Sequence, residues 1–148
     1  MKAASDSDLV LKETDDFESM RSLALESGLE EGTYKDFVKA VGVFERGTMV
    51  ACAGLKVKGG VFSLDCVAVR DGFRGRGLGR KLITSLEDEA RRLGASELWA
   101  IARAPEFFEK SGFRRTDSGV PGGPSLESCL SCRQYMQTCN PSIVVKSL

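Results

Sequence analysis

The sequence predicts an α+β fold in which helices flank a single mixed β-sheet. Three observations support this class: helical patterns near the N-terminus, three adjoining strand patterns, and then one strand–helix–strand unit. The chain has 148 residues, of which 42% are hydrophobic, so it can bury one core but is too short for two full domains. We therefore expect a single domain over residues 1–148, with a cysteine-bearing tail over about 118–148.

The first elements are a short strand and a helix. Leu9-Val10-Leu11 is typical of a strand. Asp15 and Glu18 are spaced like an N-terminal capping pair, and the apolar helical face that follows ends near Gly28. Residues 29–39 carry a weaker helical pattern, which predicts a second helix.

Three strands are predicted next, over residues 41–45, 49–57 and 61–69. Short glycine-containing turns separate them, so we expect an antiparallel meander. The hydrophobic period then changes to that of a long helix, which begins at Leu78 and ends at Gly94.

The remaining elements complete one strand–helix–strand unit and a C-terminal strand. Residues 97–102 predict a buried strand that runs parallel to the strand before the long helix. Residues 106–111 predict a short helix, and residues 142–148 a final strand. On the long helix, Glu87 and Arg91 are four residues apart, and so are Asp88 and Arg92. This spacing predicts two ion pairs on the solvent side of the helix.

Composition excludes several functional classes. Lys plus Arg and Asp plus Glu both number 21, which argues against a nucleic-acid partner bound through bulk positive charge. The absence of histidine excludes Ser-His-Asp and Cys-His catalysis and histidine-based metal sites. No apolar run reaches the ~20 residues of a membrane span, and the N-terminus has no signal-like apolar stretch. We therefore expect a cytoplasmic protein without a membrane partner.

A glycine-rich loop precedes the long helix and predicts a phosphate-binding site, because exposed N–H groups at a helix N-terminus attract phosphate. The Walker pattern fails, since Leu78 and Gly79 stand where it requires Lys and Ser or Thr. The dinucleotide pattern fails, since Arg80 takes the place of its third glycine. The pattern Arg/Gln-x-x-Gly-x-Gly/Ala is matched at every position by residues 74–79.

This loop resembles the pyrophosphate loop of the GNAT family of N-acetyltransferases. Residues 107–113, Phe-Phe-Glu-Lys-Ser-Gly-Phe, are similar to a second motif of that family, and the order of elements matches over residues 9–115. The resemblance implies a mixed, mostly antiparallel sheet, splayed between strands 4 and 5 and flanked by helices. It also implies direct transfer of an acetyl group from acetyl-CoA to a primary amine of a small molecule.

The resemblance assigns acetyl-CoA to the third meander strand and the glycine loop. The backbone of the strand would pair with the pantetheine arm, and an amide near Val67 would stabilise the oxyanion. The residues expected to bind acetyl-CoA are Val67, Ala68, Val69, Arg74, Gly75, Arg76, Gly77, Leu78, Gly79, Arg80 and Phe108.

Some family positions are changed in this chain. Ser63 stands where many members have a catalytic Glu, and Asp65, on the same strand face, is the candidate general base, with a solvated strand aspartate as the alternative. Phe108 stands where the family often has a proton-donating Tyr, so the acid role is vacant or has moved to Tyr34 or Tyr135, with a surface or packing role as the alternative for each. Arg103 could bind an acceptor carboxylate or point into water.

The C-terminal tail carries Cys129, Cys132 and Cys139. A zinc site, a redox-sensitive pair and unligated thiols are the alternatives, and no fourth zinc ligand is evident. The tail is also similar to small stand-alone relatives of N-acetylglutamate synthase, which favours an amino acid as the acceptor. A C-terminal strand can complete a neighbour's sheet, which leaves a homodimer open.

Because two catalytic positions are changed, the alternative to an enzyme is a non-catalytic acyl-CoA-binding sensor or partner module.

Overall fold

The structure is a computed structural model that describes residues 8–27, 36–102, 105–116 and 142–148. Within these ranges it contains seven strands and three helices. In chain order they are β1 (Leu9–Glu13), α1 (Phe17–Glu26), β2 (Phe37–Glu45), β3 (Thr48–Lys58), β4 (Val61–Val69), α2 (Leu78–Arg92), β5 (Glu97–Ala102), α3 (Pro105–Lys110), β6 (Arg114–Thr116) and β7 (Ser142–Ser147).

The strands form one sheet in the order β1-β2-β3-β4-β5-β7-β6. Neighbouring strands are antiparallel except β4 and β5, which run parallel. Within the described strands, the register between β4 and β5 pairs only Ser63 with Trp99, and the two strands separate beyond that pair. The predicted mixed sheet, splayed between its fourth and fifth strands, is therefore confirmed.

Helices cover both faces of the sheet, and successive residues of each central strand point to opposite faces. On one face, Leu82 and Leu86 of α2 pack against strand residues such as Val41. On the other, Met20 and Leu23 of α1 pack against Ala40, Cys52 and Ala68. Because both faces are buried, β2 and β3 are apolar along most of their length.

The predicted helix over residues 29–39 is wrong at its C-terminal end. Residues 37–39 belong to β2, and the segment 28–35 lies outside the described residues. Phe37 pairs with Lys56 of β3, and its ring fills the space left by the missing side chain of Gly54. The long-range pairing with β3 therefore overrides the weak local helical pattern.

The predicted charge pairs on α2 are partly wrong. Glu87 pairs with Arg91 at 3.8 Å, but it is only 5% exposed rather than solvent-facing. Its carboxylate accepts a 2.9 Å hydrogen bond from the Nζ of Lys146 on β7, a contact that local spacing could not reveal. Asp88 pairs with Arg91 instead of Arg92.

None of the described helices is both long and apolar enough to cross a membrane.

Candidate active site

β4 contains a bulge close to the point where it separates from β5. Cys52 and Gly54 of β3 pair with Ala68 and Asp65, so β4 has one residue more than β3 over this stretch. Cys66, inside the bulge, has a φ of 57°, in the left-handed region that few non-glycine residues adopt. The extra residue places Asp65 and Ala68 on the same face of the sheet although they are three positions apart.

Helix α2 begins directly after the glycine loop. Its N-cap is Gly77, which has a φ of 75°. Within the described part of the chain no side chain caps this end, and its first turn contains no acidic residue. The first intrahelical bond runs from the Lys81 N–H to the Gly77 carbonyl oxygen, so the N–H groups before it can donate to an anion.

Three arginines add positive charge beside this helix end. The Nε of Arg74 donates to the carbonyl oxygen of the last β4 residue at 3.0 Å. The Nη2 of Arg76 donates to a loop carbonyl at 3.3 Å, and the Nη2 of Arg80 donates to the carbonyl of the last α3 residue at 2.9 Å. These bonds fix the guanidinium groups around the loop, which favours binding of a phosphate there.

A cavity of about 630 Å³ extends from the C-terminal end of β4 to the start of α2. All the residues predicted to bind acetyl-CoA line it except Arg76 and Phe108. The lining residues are Ser27, Val67, Ala68, Val69, Phe73, Arg74, Gly75, Gly77, Leu78, Gly79, Arg80, Phe107, Lys110 and Ser111.

Of the two neighbouring phenylalanines on α3, it is Phe107 that lines the cavity. Phe108, the predicted cofactor residue, is 7% exposed and packs edge-to-face against Phe113 in the core. Adjacent residues of a helix point in different directions, and the sequence alone did not show which ring faced the cavity. Ser27 was missed because it reaches the cavity from the end of α1, far from either motif.

Gly79 is required for packing as well as for the loop pattern. A Cβ at this position would lie 2.8 Å from the Cζ of Phe107, closer than real Cβ contacts allow. By contrast, a Cβ at Gly77 would meet nothing within 4 Å among the described residues. A side chain at Gly77 would extend into the open space beside the helix end.

Asp65 lies on the α1 face of β4, immediately before the bulge, and does not line the cavity. Its Oδ1 accepts a 2.8 Å hydrogen bond from the Cys66 N–H, and its Oδ2 lies 2.7 Å from the Nζ of Lys56. Ser63 is paired with Lys56 across the two strands, so all three side chains share this face. The carboxylate is thus held in a fixed direction while 47% of the Asp65 side chain stays exposed.

Two cysteines also lie at the bulge. The Sγ of Cys52 donates a 3.3 Å hydrogen bond to the carbonyl oxygen of Cys66. The Sγ of Cys66 donates a 3.7 Å hydrogen bond to the carbonyl oxygen of Met20 on α1. A hydrogen bond with the Cys66 thiol and burial raise the pKa of the Cys52 thiol far above its usual range. Cys52 is therefore protonated at neutral pH and unsuited to nucleophilic attack.

Five predicted site residues lie outside the described residues. They are Tyr34, Arg103, Cys129, Cys132 and Cys139.

The cavity fits a phosphate-bearing cofactor with an extended arm. An uncapped helix N-terminus surrounded by arginines suits a pyrophosphate, and Gly75 and Gly77 leave open space there. Beyond Ser63, the edge of β4 has no registered partner on β5 among the described residues, so its backbone can pair with an extended ligand. These features define the cavity as suited to acetyl-CoA.

A model of the acetyltransferase (GNAT) family matches residues 8–113, which is more than half of the chain. The chain therefore belongs to the GNAT family, as its two sequence motifs predicted.

Solved structures with the same fold include three enzymes at low sequence identity. N-acetylglutamate synthase from Neisseria gonorrhoeae, solved with coenzyme A and N-acetyl-glutamate, is 21% identical with a TM-score of 0.71, over 98% of this chain and 36% of that chain. A GNAT acetyltransferase from Staphylococcus aureus is 12% identical with a TM-score of 0.74, over 95% and 99%. PaiA N-acetyltransferase from Thermoplasma acidophilum, solved with coenzyme A, is 15% identical with a TM-score of 0.68, over 95% and 99%. This chain thus spans about a third of the synthase.

Proposed function

We propose that this enzyme acetylates the primary amine of a small molecule, with an amino acid as the acceptor class. The observation that carries the proposal is the position of Asp65, which ends the regular part of β4 just before the residues that line the donor cavity. A carboxylate at this junction can reach an amine that approaches the acetyl group from the α1 face.

The donor side of the proposal rests on backbone groups. Acetyl-CoA supplies an acetyl group activated as a thioester. The edge of β4 from Val67 to Val69 would orient the extended arm, and the N–H groups of Leu78, Gly79 and Arg80 would hold the pyrophosphate. A backbone N–H near Val67 would stabilise the developing oxyanion.

The acceptor side needs a group that removes a proton from the ammonium. Asp65 would take this proton directly or through a water molecule. The Ser63 hydroxyl lies on the same face and would help to position that water. Phe108 cannot donate a proton to the departing thiolate, so Tyr34 remains one candidate acid beside Tyr135 and a reaction without an acid.

Direct attack by the amine agrees with the protonated state of the Cys52 thiol. A covalent acetyl-cysteine would need an activated thiolate, but the raised pKa of Cys52 keeps that thiol protonated. The chain also has no histidine to serve as a base for a thiol.

The amino-acid acceptor is supported by the structural similarity to N-acetylglutamate synthase, whose structure contains N-acetyl-glutamate. Arg103 remains the predicted partner of an acceptor carboxylate. The single domain over residues 1–148, the cytoplasmic location and a homodimer likewise remain predictions.

Turnover with a panel of amines tests the proposal. Purified protein and acetyl-CoA are incubated with amino acids, polyamines, aminoglycosides and peptides, and release of the CoA thiol is measured with the acetylated product. We expect acetylation of at least one small amine. Acetylation of peptide N-termini or lysine side chains alone would overturn the small-molecule assignment.

A further inference from the structure

We propose that Lys56 binds the carboxylate of the acceptor, so that the enzyme selects amines that carry a carboxylate near the reacting nitrogen. This inference rests on the proposed function and names the recognition group of its acceptor site. Lys56 lies on β3, outside both sequence motifs, and the register of the sheet brings it beside Asp65.

The Lys56 side chain is directed toward Asp65 and held there by packing. Its Nζ lies 2.7 Å from the Oδ2 of Asp65 and 5.3 Å from the centre of the Phe37 ring. The side chain is only 20% exposed, so packing holds the ammonium at the edge of the α1 face. An ammonium has three N–H donors, and one ion pair with Asp65 leaves donors for a second carboxylate.

The charges of this ion pair are complementary to those of an amino acid. Asp65 and Lys56 present a negative and a positive charge side by side on one face of the sheet. An α-amino acid has the reverse arrangement, with an ammonium and a carboxylate attached to the same carbon. Its ammonium can approach Asp65 while its carboxylate approaches Lys56, and both charges are compensated.

A simple cationic amine lacks this advantage. It brings one positive charge to an ion pair that is already neutral, so the attraction of Asp65 is opposed by repulsion from Lys56. The pair should therefore favour a zwitterion over an amine of the same size without a carboxylate.

The test compares each L-amino acid with its own carboxamide, which keeps the amine and removes the negative charge. The quantity measured is the ratio of kcat/KM for the acid to kcat/KM for the amide. Both acceptors use Asp65 as the base, so a general effect of a variant on Asp65 changes the two kcat/KM values equally. The ratio is then unchanged. The variants are Lys56→Met, Lys56→Arg and, as a matched control two residues further along the same strand, Lys58→Met.

We expect the ratio to fall about 10- to 100-fold in Lys56→Met, the effect of losing one charge-assisted hydrogen bond. Lys56→Arg should largely restore the ratio, and Lys58→Met should leave it unchanged. Circular dichroism and acetyl-CoA affinity establish that each variant is folded.

Two results would overturn the inference and leave the proposed function intact. One is an equal fall for acids and amides in Lys56→Met, which would make Lys56 a positioning residue for Asp65 alone. The other is a wild-type enzyme that acetylates small amines but prefers amides to acids. No turnover with any small amine would overturn the proposed function, and this inference with it.

Discussion

The two sides of β4 are built in different ways. The proposed donor side relies mainly on backbone groups from one continuous segment, which runs from Val67 through the glycine loop into α2. The proposed acceptor side consists of side chains from two strands, Lys56 on β3 and Asp65 on β4, which the sheet register brings together. The donor site therefore leaves a continuous sequence motif, whereas the acceptor site leaves none. The following predictions test this division.

The largest expected effect is on the acceptor side. Asp65→Asn keeps the size of the side chain but removes the proton acceptor, so kcat/KM should fall by about 10²–10⁴. Acetyl-CoA affinity should stay unchanged, because Asp65 does not line the cavity. Steady-state kinetics and calorimetry measure the two quantities, and Asp88→Asn on the exposed side of α2 serves as the control.

The loss in Asp65→Asn should shrink as the pH rises. A larger fraction of the acceptor amine is then unprotonated and needs no base. A pH–rate profile of the variant that matches the wild type in shape and height would make Asp65 a structural residue.

The next effect belongs to the donor side. In Gly77→Val the new side chain would extend toward the place of the pyrophosphate, and acetyl-CoA affinity should fall about tenfold or more. Gly47→Val is the matched control, because Gly47 has a φ of 86°, also has open space around its Cβ, and lies in the turn between β2 and β3. Each variant should lose about 1–2 kcal/mol of stability from backbone strain. Equal acetyl-CoA affinity in the two variants would contradict the assignment of the loop.

A smaller effect, on stability, is expected at Gly79, which contributes to packing at the end of the same loop. Gly79→Ala should lower the free energy of unfolding by about 1–3 kcal/mol, because the new methyl group meets the Phe107 ring. Denaturant unfolding measures this change, and combining the variant with Phe107→Leu should recover part of it. Strictly additive losses in the double variant would show that the ring is not the obstacle.

The smallest expected effect is in the tail. Replacing Cys129, Cys132 and Cys139 together with Ser should change turnover by no more than several-fold, because direct attack needs no enzyme thiol. Mass spectrometry of the enzyme after incubation with acetyl-CoA provides the second measurement. A covalent acetyl group on one of these cysteines would refute direct attack, as would bound metal whose removal abolishes activity.

The fold and the candidate donor site could be predicted from the sequence because their signals are local. The glycine pattern of residues 74–79 and the helical period from Leu78 onward fix the loop and helix that are proposed to bind the donor. The strand over residues 61–69 was predicted with its correct ends, because turn residues bound an apolar run on both sides.

The features that the sequence did not predict depend on contacts between distant residues. The bulge at Cys66 has no glycine to mark it, although its φ is positive. The contact of Lys56 with Asp65 is diagonal across the β3–β4 pairing, on the turn side of the bulge, and burial of Glu87 follows from Lys146 on the last strand. Local patterns carry no information about such pairs, so they became visible only in the structure.

Hydrogen–deuterium exchange with and without CoA tests the central claim most directly. If the donor lies along the edge of β4 and at the start of α2, CoA should slow exchange of the amides of Val67, Ala68 and Val69 and of Leu78, Gly79 and Arg80. The amides of β2, on the far side of β3, should be unaffected. Unchanged exchange at both donor segments, with CoA bound at saturation, would contradict the account.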